Sequence, residues 1–198
     1  MRTFIRICKS ALYIAIAVLL IVSCKEDYTP KPKDYVRIDF PEKEYLKYDC
    51  SQGYSFEYPA YARITGDSSL KHPEWLNIEF PQFAGRIYLS HIKINGNPGI
   101  HADESRDLVY KHTIKAESID ENLINLPDRK VYGIFYEIKG NAASSIQFFV
   151  TDSSRNFLRG SLYFNTQPNQ DSLAPVIHFV RQDIEHFIKS LEWKSVNK

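Results

Sequence analysis

Alternation of apolar and polar side chains marks several short stretches of the chain as half-buried strands. Tyr54-Ser55-Phe56-Glu57-Tyr58 carries the pattern first, and residues 75–80 and 86–94 repeat it. The last two are separated by the short, Gly-ending stretch 81–85, so they read as a hairpin. Asn95-Gly96-Asn97-Pro98-Gly99 is a dense run of breakers that ends the second strand. Helix formers then dominate from Asp103 to Ala116, with Asp103 and Glu104 placed where the positive end of a helix dipole favours acid. Three further strands are expected at 131–139, 145–151 and 157–164. Gly140-Asn141-Ala142-Ala143-Ser144 reads as a turn, and the turn-rich Asp152-Ser153-Ser154-Arg155-Asn156 joins the last two strands into a meander.

The clearest periodicity lies near the end. Val176, Val180, Ile184, Phe187, Ile188 and Leu191 recur at three- and four-residue spacings, the stripe of an amphipathic helix. Pro175 suits the first helical position, with Asp171 or Ser172 as the cap. The stripe should lie across the sheet that the strands build. These patterns predict an α+β fold, an antiparallel β-sheet flanked by helices, in a single globular domain over residues 34–198 with no internal repeat.

The first residues follow another logic. Arg2, Arg6 and Lys9 precede an uncharged apolar run from Ala11 to Val22. At about twelve residues this run is short of the roughly 20 that a spanning helix needs, so residues 1–23 read as a signal peptide. Ile21-Val22-Ser23 before Cys24 resembles the bacterial lipobox, in which the cysteine thiol is diacylated and the residue becomes the acylated mature N-terminus. An ordinary cleavage site favours small residues at both −3 and −1, and Ile21 is not small. Several acyl chains such as palmitate anchor firmly, because each buried CH₂ contributes about 0.8 kcal/mol. Residues 24–33 then form a lipidated, Pro/Lys-rich tether of extended, semi-rigid character. Lys25 rather than Asp follows the cysteine, which favours the outer membrane. Lys25-Glu26-Asp27 resembles the surface-export signal of some Bacteroidota lipoproteins, and a solvated charged linker accounts for the same residues.

Composition narrows the function classes. The 198 residues include 13 Tyr and 12 Phe but only 8 Gly, in keeping with a strand-rich core. Twenty-five Lys+Arg stand against 24 Asp+Glu; without Arg2, Arg6 and Lys9 the basic residues number 22. No basic excess remains for binding nucleic acid or for a polybasic second anchor. Of Cys8, Cys24 and Cys50, the first leaves with the signal and the second takes the lipid, so an intrachain disulfide has no partner for Cys50.

Catalytic signatures are missing: no Gly-x-Ser-x-Gly, phosphate-binding Gly loop, dinucleotide fingerprint or His-Glu-x-x-His is present. His178, Asp183 and His186 come near one another on the final helix, but positions eight apart drift by about 80° around the axis, which makes a joint metal site poor. Cys50 has Tyr48, Asp49 and Ser51 beside it and no cation to lower its pKa, so a structural thiol outweighs a nucleophile. His112 and Lys115 read as partly exposed. Asp152, Arg155 and Arg159 form the one conspicuous polar group, as structural or docking residues. Arg159 suits burial with a carboxylate such as Asp152 or Glu137, and the alternative is a clamp for an anionic group.

Thr29-Pro30-Lys31-Pro32-Lys33 and Tyr35-Val36-Arg37-Ile38-Asp39-Phe40-Pro41-Glu42-Lys43 resemble the start of the mature gliding-motility lipoproteins called GldD. Later blocks share the resemblance: Tyr110 through Ala116, Thr151-Asp152-Ser153, Phe157 through Phe164, Pro168-Asn169, Asp171-Ser172-Leu173 and Glu192-Trp193-Lys194. Ser161, where Ala is expected, and the stretch around Ser68 to His72 depart from the pattern. The resemblance implies a lipid-anchored envelope protein of Bacteroidota, required for gliding and linked to type IX secretion, with no enzymatic activity, cofactor or metal. Partners would be the membrane, through the lipid, and envelope proteins of that machinery; a small-molecule ligand is not expected. The order of elements also resembles the PsbP-like α/β/α sandwich. Two function classes stay open: an accessory protein that docks on the machinery, and an envelope ligand-binding or enzymatic lipoprotein. Replacing Cys24 by Ala should abolish acylation and release the protein from membranes; radiolabelled palmitate incorporation and membrane fractionation read both effects, and an acylated Cys24→Ala product contradicts the assignment.

Overall fold

A computed structural model describes residues 38–66 and 75–194 of the chain. The signal peptide 1–23, the lipidation residue Cys24, the tether 24–33 and the first residues of the expected domain 34–198 lie outside the described residues. Ten strands and two α-helices are formed among the described residues: β1 (Tyr45–Cys50), β2 (Tyr54–Pro59), β3 (Arg63–Gly66), β4 (Leu76–Phe80), β5 (Gly85–Lys93), α1 (Gly99–Tyr110), β6 (Ala116–Leu126), β7 (Val131–Gly140), β8 (Ser144–Thr151), β9 (Asn156–Phe164), α2 (Gln170–Ser190) and β10 (Glu192–Trp193). Seven of the strands make one antiparallel sheet in the order β3-β4-β5-β9-β8-β7-β6, and β1-β2-β10 make a small second sheet. The α+β class read from the sequence is the class observed.

The β4–β5 and β6–β7 hairpins close with the same device. Each has Pro at the start of a 3-10 turn, Pro81–Phe83 or Pro127–Arg129, followed by a residue in the left-handed region, Ala84 at φ 48° or Lys130 at φ 53°. The N–H of that residue donates to the proline carbonyl, at 3.3 and 3.1 Å. Proline presets the entering φ, and the left-handed residue returns the chain to the next strand without a long loop. The β7-β8-β9 meander forms as the turn signals indicate. What pattern reading did not supply is the join between the halves: β9 returns to pair with β5 from Gly85↔Phe164 to Lys93↔Asn156. Gly160 on β9 is required there, because a Cβ would lie 2.2 Å from the Phe148 ring on β8.

Three sequence expectations are corrected. Helix α1 begins at Gly99, inside the breaker run, and gives way at Tyr110 to the 3-10 turn Lys111–Ile114. Pro98 already has helical backbone at φ −76°, and Asn97 Oδ1 accepts from the Gly99 N–H at 3.0 Å, so the run starts a helix as well as ending a strand. Asp103 and Glu104 therefore fall beyond the first turn, and Ala116 opens β6. Helix α2 begins at Gln170, capped by the Asn169 side chain accepting from Ser172 N–H, rather than by Asp171 or Ser172. Pro175 sits inside α2; it forgoes a bond to the carbonyl of Asp171, which lies in the exposed first turn. Strands β1, β3, β6 and β10 were unmarked, β6 because its sequence is mostly polar and its side chains mostly exposed.

The large sheet has two unlike faces. Ile78, Phe80, Leu89, Phe148, Leu158 and Leu162 point to one side, where α2 and the small sheet cover them. The predicted stripe Val176, Val180, Ile184, Phe187, Ile188 and Leu191 is buried here, with Phe187 between Phe56 of β2 (4.7 Å) and Phe148 of β8 (5.7 Å). On the other side α1 covers part of the sheet and reaches the Phe157 end of β9, packing Val109 on Tyr136, Ile138, Phe149 and Phe157. Replacing Ile184, which is 1% exposed, by Asp should cost more than about 4 kcal/mol and unfold the domain; an unchanged melting temperature by circular dichroism would show that the stripe is not core.

Candidate functional site

Asp152, Arg155 and Arg159 do not converge on one site. Asp152 is a turn builder: its Oδ1 accepts from the N–H groups of Ser154 (2.9 Å), Arg155 (2.7 Å) and Asn156 (2.9 Å), and its Oδ2 from Asn156 Nδ2 (2.7 Å). Burial opposes its charge, but the N–H bonds from Arg155, Asn156 and Ser154 together outweigh it and hold the carboxyl below its usual range. This arrangement fixes the tip of the β8–β9 hairpin. Asp152 and Arg155 line a polar cleft of about 920 Å³ with Asp128, Arg129, Glu192 and Lys194.

Arg159 faces a different surface. Alternation along β9 sends it to the side of the large sheet away from α2, and its Nη2 donates to Gln147 Oε1 at 2.9 Å. Neither carboxylate expected as partner is used. Asp152 is committed to its turn, and Glu137, whose neighbours on β8 face α2, binds Arg181 of that helix at 2.8 Å. Among the described residues Arg159 makes no ion pair, and burial pushes its pKa down. His112 stands close enough that burial first, and the Arg159 charge second, lower its pKa as well. Arg159 opens into a concavity of about 350 Å³ lined by Trp75, Asn77, Tyr88, Ser90, Ser161 and Tyr163.

A third constellation is structural. Asp183 of α2, 2% exposed, accepts from Lys43 Nζ at 2.7 Å and Tyr45 OH at 3.0 Å, and also from Tyr61 OH. Lys43 Nζ lies 3.4 Å from the centre of the Phe179 ring and donates to the Phe179 carbonyl at 2.7 Å. His186 stacks on Tyr45 at 3.6 Å and bonds Glu57 at 2.6 Å. Asp183 and His186 share Tyr45 as a neighbour but bond to different groups, and among the described residues no group of three or more His, Cys, Asp or Glu is placed to hold a metal. Lys43, Tyr45 and Tyr61 were not singled out in the sequence. The available signal was Asp183 itself, an acid three residues after Val180 and four before Phe187, on the buried stripe. Cys50 is a buried free thiol in the core. His112 is half-buried and Lys115 exposed.

The fold is an antiparallel α+β domain, and among the described residues no helix is long and apolar enough to cross a membrane. Residues 25–193 match the family model of the gliding motility lipoprotein GldD, and the chain belongs to that family. It is therefore a lipoprotein associated with gliding motility and with an envelope membrane. Comparison with curated proteins gave no match. Among solved structures the chain is similar to cyanobacterial PsbP (CyanoP) from Synechocystis sp. PCC 6803, with a TM-score of 0.45 and 10% identity over 80% of this chain and 97% of that one.

The buried tyrosines set an alkaline limit. Burial first, and Asp183 after it, push the pKa values of Tyr45 and Tyr61 well above the usual tyrosine value; burial does the same for Tyr54 and carries Tyr136 up to about 12. A raised folded-state pKa stabilises below the unfolded value of about 10 and loses that contribution as pH climbs above it. Lys43 runs the other way: burial lowers its pKa despite Asp183, so its protonation cost fades as pH rises toward 10.5. One lysine does not offset four tyrosines. Urea melts should show stability falling steeply between about pH 9.5 and about pH 11.5, and Asp183→Asn should cost roughly 2–4 kcal/mol at pH 7 by leaving Lys43 without its counter-charge; flat stability over that range, or an unchanged urea midpoint for Asp183→Asn, would contradict this account.

Proposed function

We propose that the mature chain is held by acyl chains on Cys24 to the outer membrane, and that the domain over 34–198 acts without catalysis by docking on envelope proteins of the gliding and type IX secretion machinery. The family supplies the motility association. Lys25 after the acylated cysteine supports the outer membrane, and the extended tether lets the domain reach partners beyond the headgroups. The observation that carries the docking reading is a set of exposed apolar side chains between residues 100 and 123. Ile114 is 87% exposed and Leu123 80%, and Ile100 and Tyr110 of α1 are also exposed. Isolated surface leucines are ordinary, but large aliphatic and aromatic groups repeated over a helix, its following turn and the adjoining edge strand favour a partner-covered surface. Arg106 and Tyr110 both contact Glu121 of β6, which holds α1 against that strand.

Burying such side chains at an interface contributes on the order of 1–2 kcal/mol each. A tagged, chromosomally expressed copy purified from gently crosslinked membranes of the native organism should bring motility or secretion components with it. The double variant Ile114→Asp, Leu123→Asp should lose them at unchanged melting temperature, since both side chains are exposed. Recovery of the wild-type lipoprotein alone, or full recovery of partners by the variant, would overturn the docking reading.

A further inference from the structure

Four of the six arginines other than Arg159 among the described residues meet acids, Arg106 by a 3.6 Å approach to Glu121. Arg181 binds Glu137 at 2.8 Å and Glu185 at 2.7 Å, Arg86 binds Glu79 at 2.7 Å, and Arg129 lies 3.4 Å from Glu192. Arg159 is more deeply enclosed than a surface arginine, and of its five donors one is taken by Gln147 Oε1. Gln147 is itself 1% exposed and accepts also from Ser161 Oγ at 3.4 Å, so the guanidinium rests on a buried, doubly engaged amide rather than swinging freely. Among the described residues no carboxylate pairs with it, and a desolvated cation without a counter-charge is costly. His112 close by adds a second group whose cationic form is disfavoured. An anion in the concavity would supply Arg159 with a counter-charge.

The walls narrow the class of anion. Tyr88 and Tyr163 meet edge to face at 5.7 Å, and with Trp75 they give an aromatic border to the concavity. Asn77, Ser90 and Ser161 supply hydrogen-bonding groups on the sheet floor. At about 350 Å³ the space is at the lower end of the range for small-ligand sites, about 300–1,000 Å³. A bare phosphate would leave the aromatic border unused, and a fatty acid would leave the hydroxyls and the amide of the floor unmatched. A sugar ring carrying a carboxylate matches all three: carboxylate on the guanidinium, ring C–H faces on the aromatics, hydroxyls on Asn77 and the serines.

We propose that the concavity around Arg159, on the sheet face away from α2, is a binding site for an acidic saccharide of one or two rings, with Arg159 as the carboxylate-binding residue and Tyr88 and Tyr163 as the ring platform. This goes beyond the docking reading and does not rest on it, because the docking side chains belong to α1, the turn after it and β6. The test is isothermal titration of the detergent-solubilised full-length lipoprotein with D-glucuronate, D-galacturonate and N-acetylneuraminate, alongside D-glucose and inorganic phosphate as controls. At least one acidic sugar should bind saturably, and about tenfold or more tighter than either control. Arg159→Gln and Tyr88→Ala should each weaken that binding by about tenfold, and Arg159→Lys should recover only part of it, since ammonium lacks the planar fork. Tyr88 is 44% exposed, so Tyr88→Ala keeps the test valid should Arg159→Gln fail to fold. Silence from all three acidic sugars, phosphate binding as tight as theirs, or binding unmoved by Tyr88→Ala would overturn the proposal.

Discussion

One buried carboxylate ties this domain together. Asp183 lies in the middle of the apolar face of α2 and gathers Lys43, Tyr45 and Tyr61 from the opening segment, the first strand and the turn before β3. Removing a carboxylate from water is costly, and the site offsets that cost by supplying donors to both oxygens and an ammonium that also sits over the Phe179 ring. The geometry demands that α2, the small sheet and the chain entering from the N-terminal side be placed together. Phe40, stacked on Phe179 at 4.4 Å and tilted against Phe83 at 5.8 Å, extends the same junction outward.

The second constraint is that the two faces of the large sheet are covered unequally. One face is sealed by α2 and the small sheet. Among the described residues the other receives only α1, which is short and packs over β7, β8 and the Phe157 end of β9. The rest of that face, built by β4 and by β5 and β9 around Tyr88 and Arg159, keeps polar and aromatic side chains because nothing among the described residues packs there as a layer. Arg159 is tolerable there and would be ruinous on the sealed face. The sealed face carries the core, and the half-open face leaves polar and aromatic side chains accessible.

Membership of the GldD family associates these surfaces with gliding motility and an envelope membrane. The polar cleft that holds Asp152 and Arg155 lies at the hairpin tips, whereas the proposed saccharide site is on the sheet. The conserved chemistry of turns accounts for Asp152: four hydrogen bonds to one side chain make a rigid hairpin end and leave it little capacity for anything else.

Local chemistry was enough to read much of the fold. The period of the α2 stripe, the alternation in β2, β4, β5, β7, β8 and β9, and the turn residues between them are short-range signals, and each corresponds to an observed element. Where neighbours in space decide, the chain was opaque. Strand β6 is polar because it is an edge, and only its pairing with β7 makes it a strand. Helix α1 starts early because Asn97 caps a backbone that Pro98 has already turned. The partners of Arg159 and Asp183 come from residues 12 and 122 to 140 positions away. Sequence alone determined which segments bury one face, since apolar periodicity is written residue by residue. Tertiary structure decided which charges meet, because ion pairs and cavities depend on the β5–β9 join and on which face of the sheet each side chain reaches.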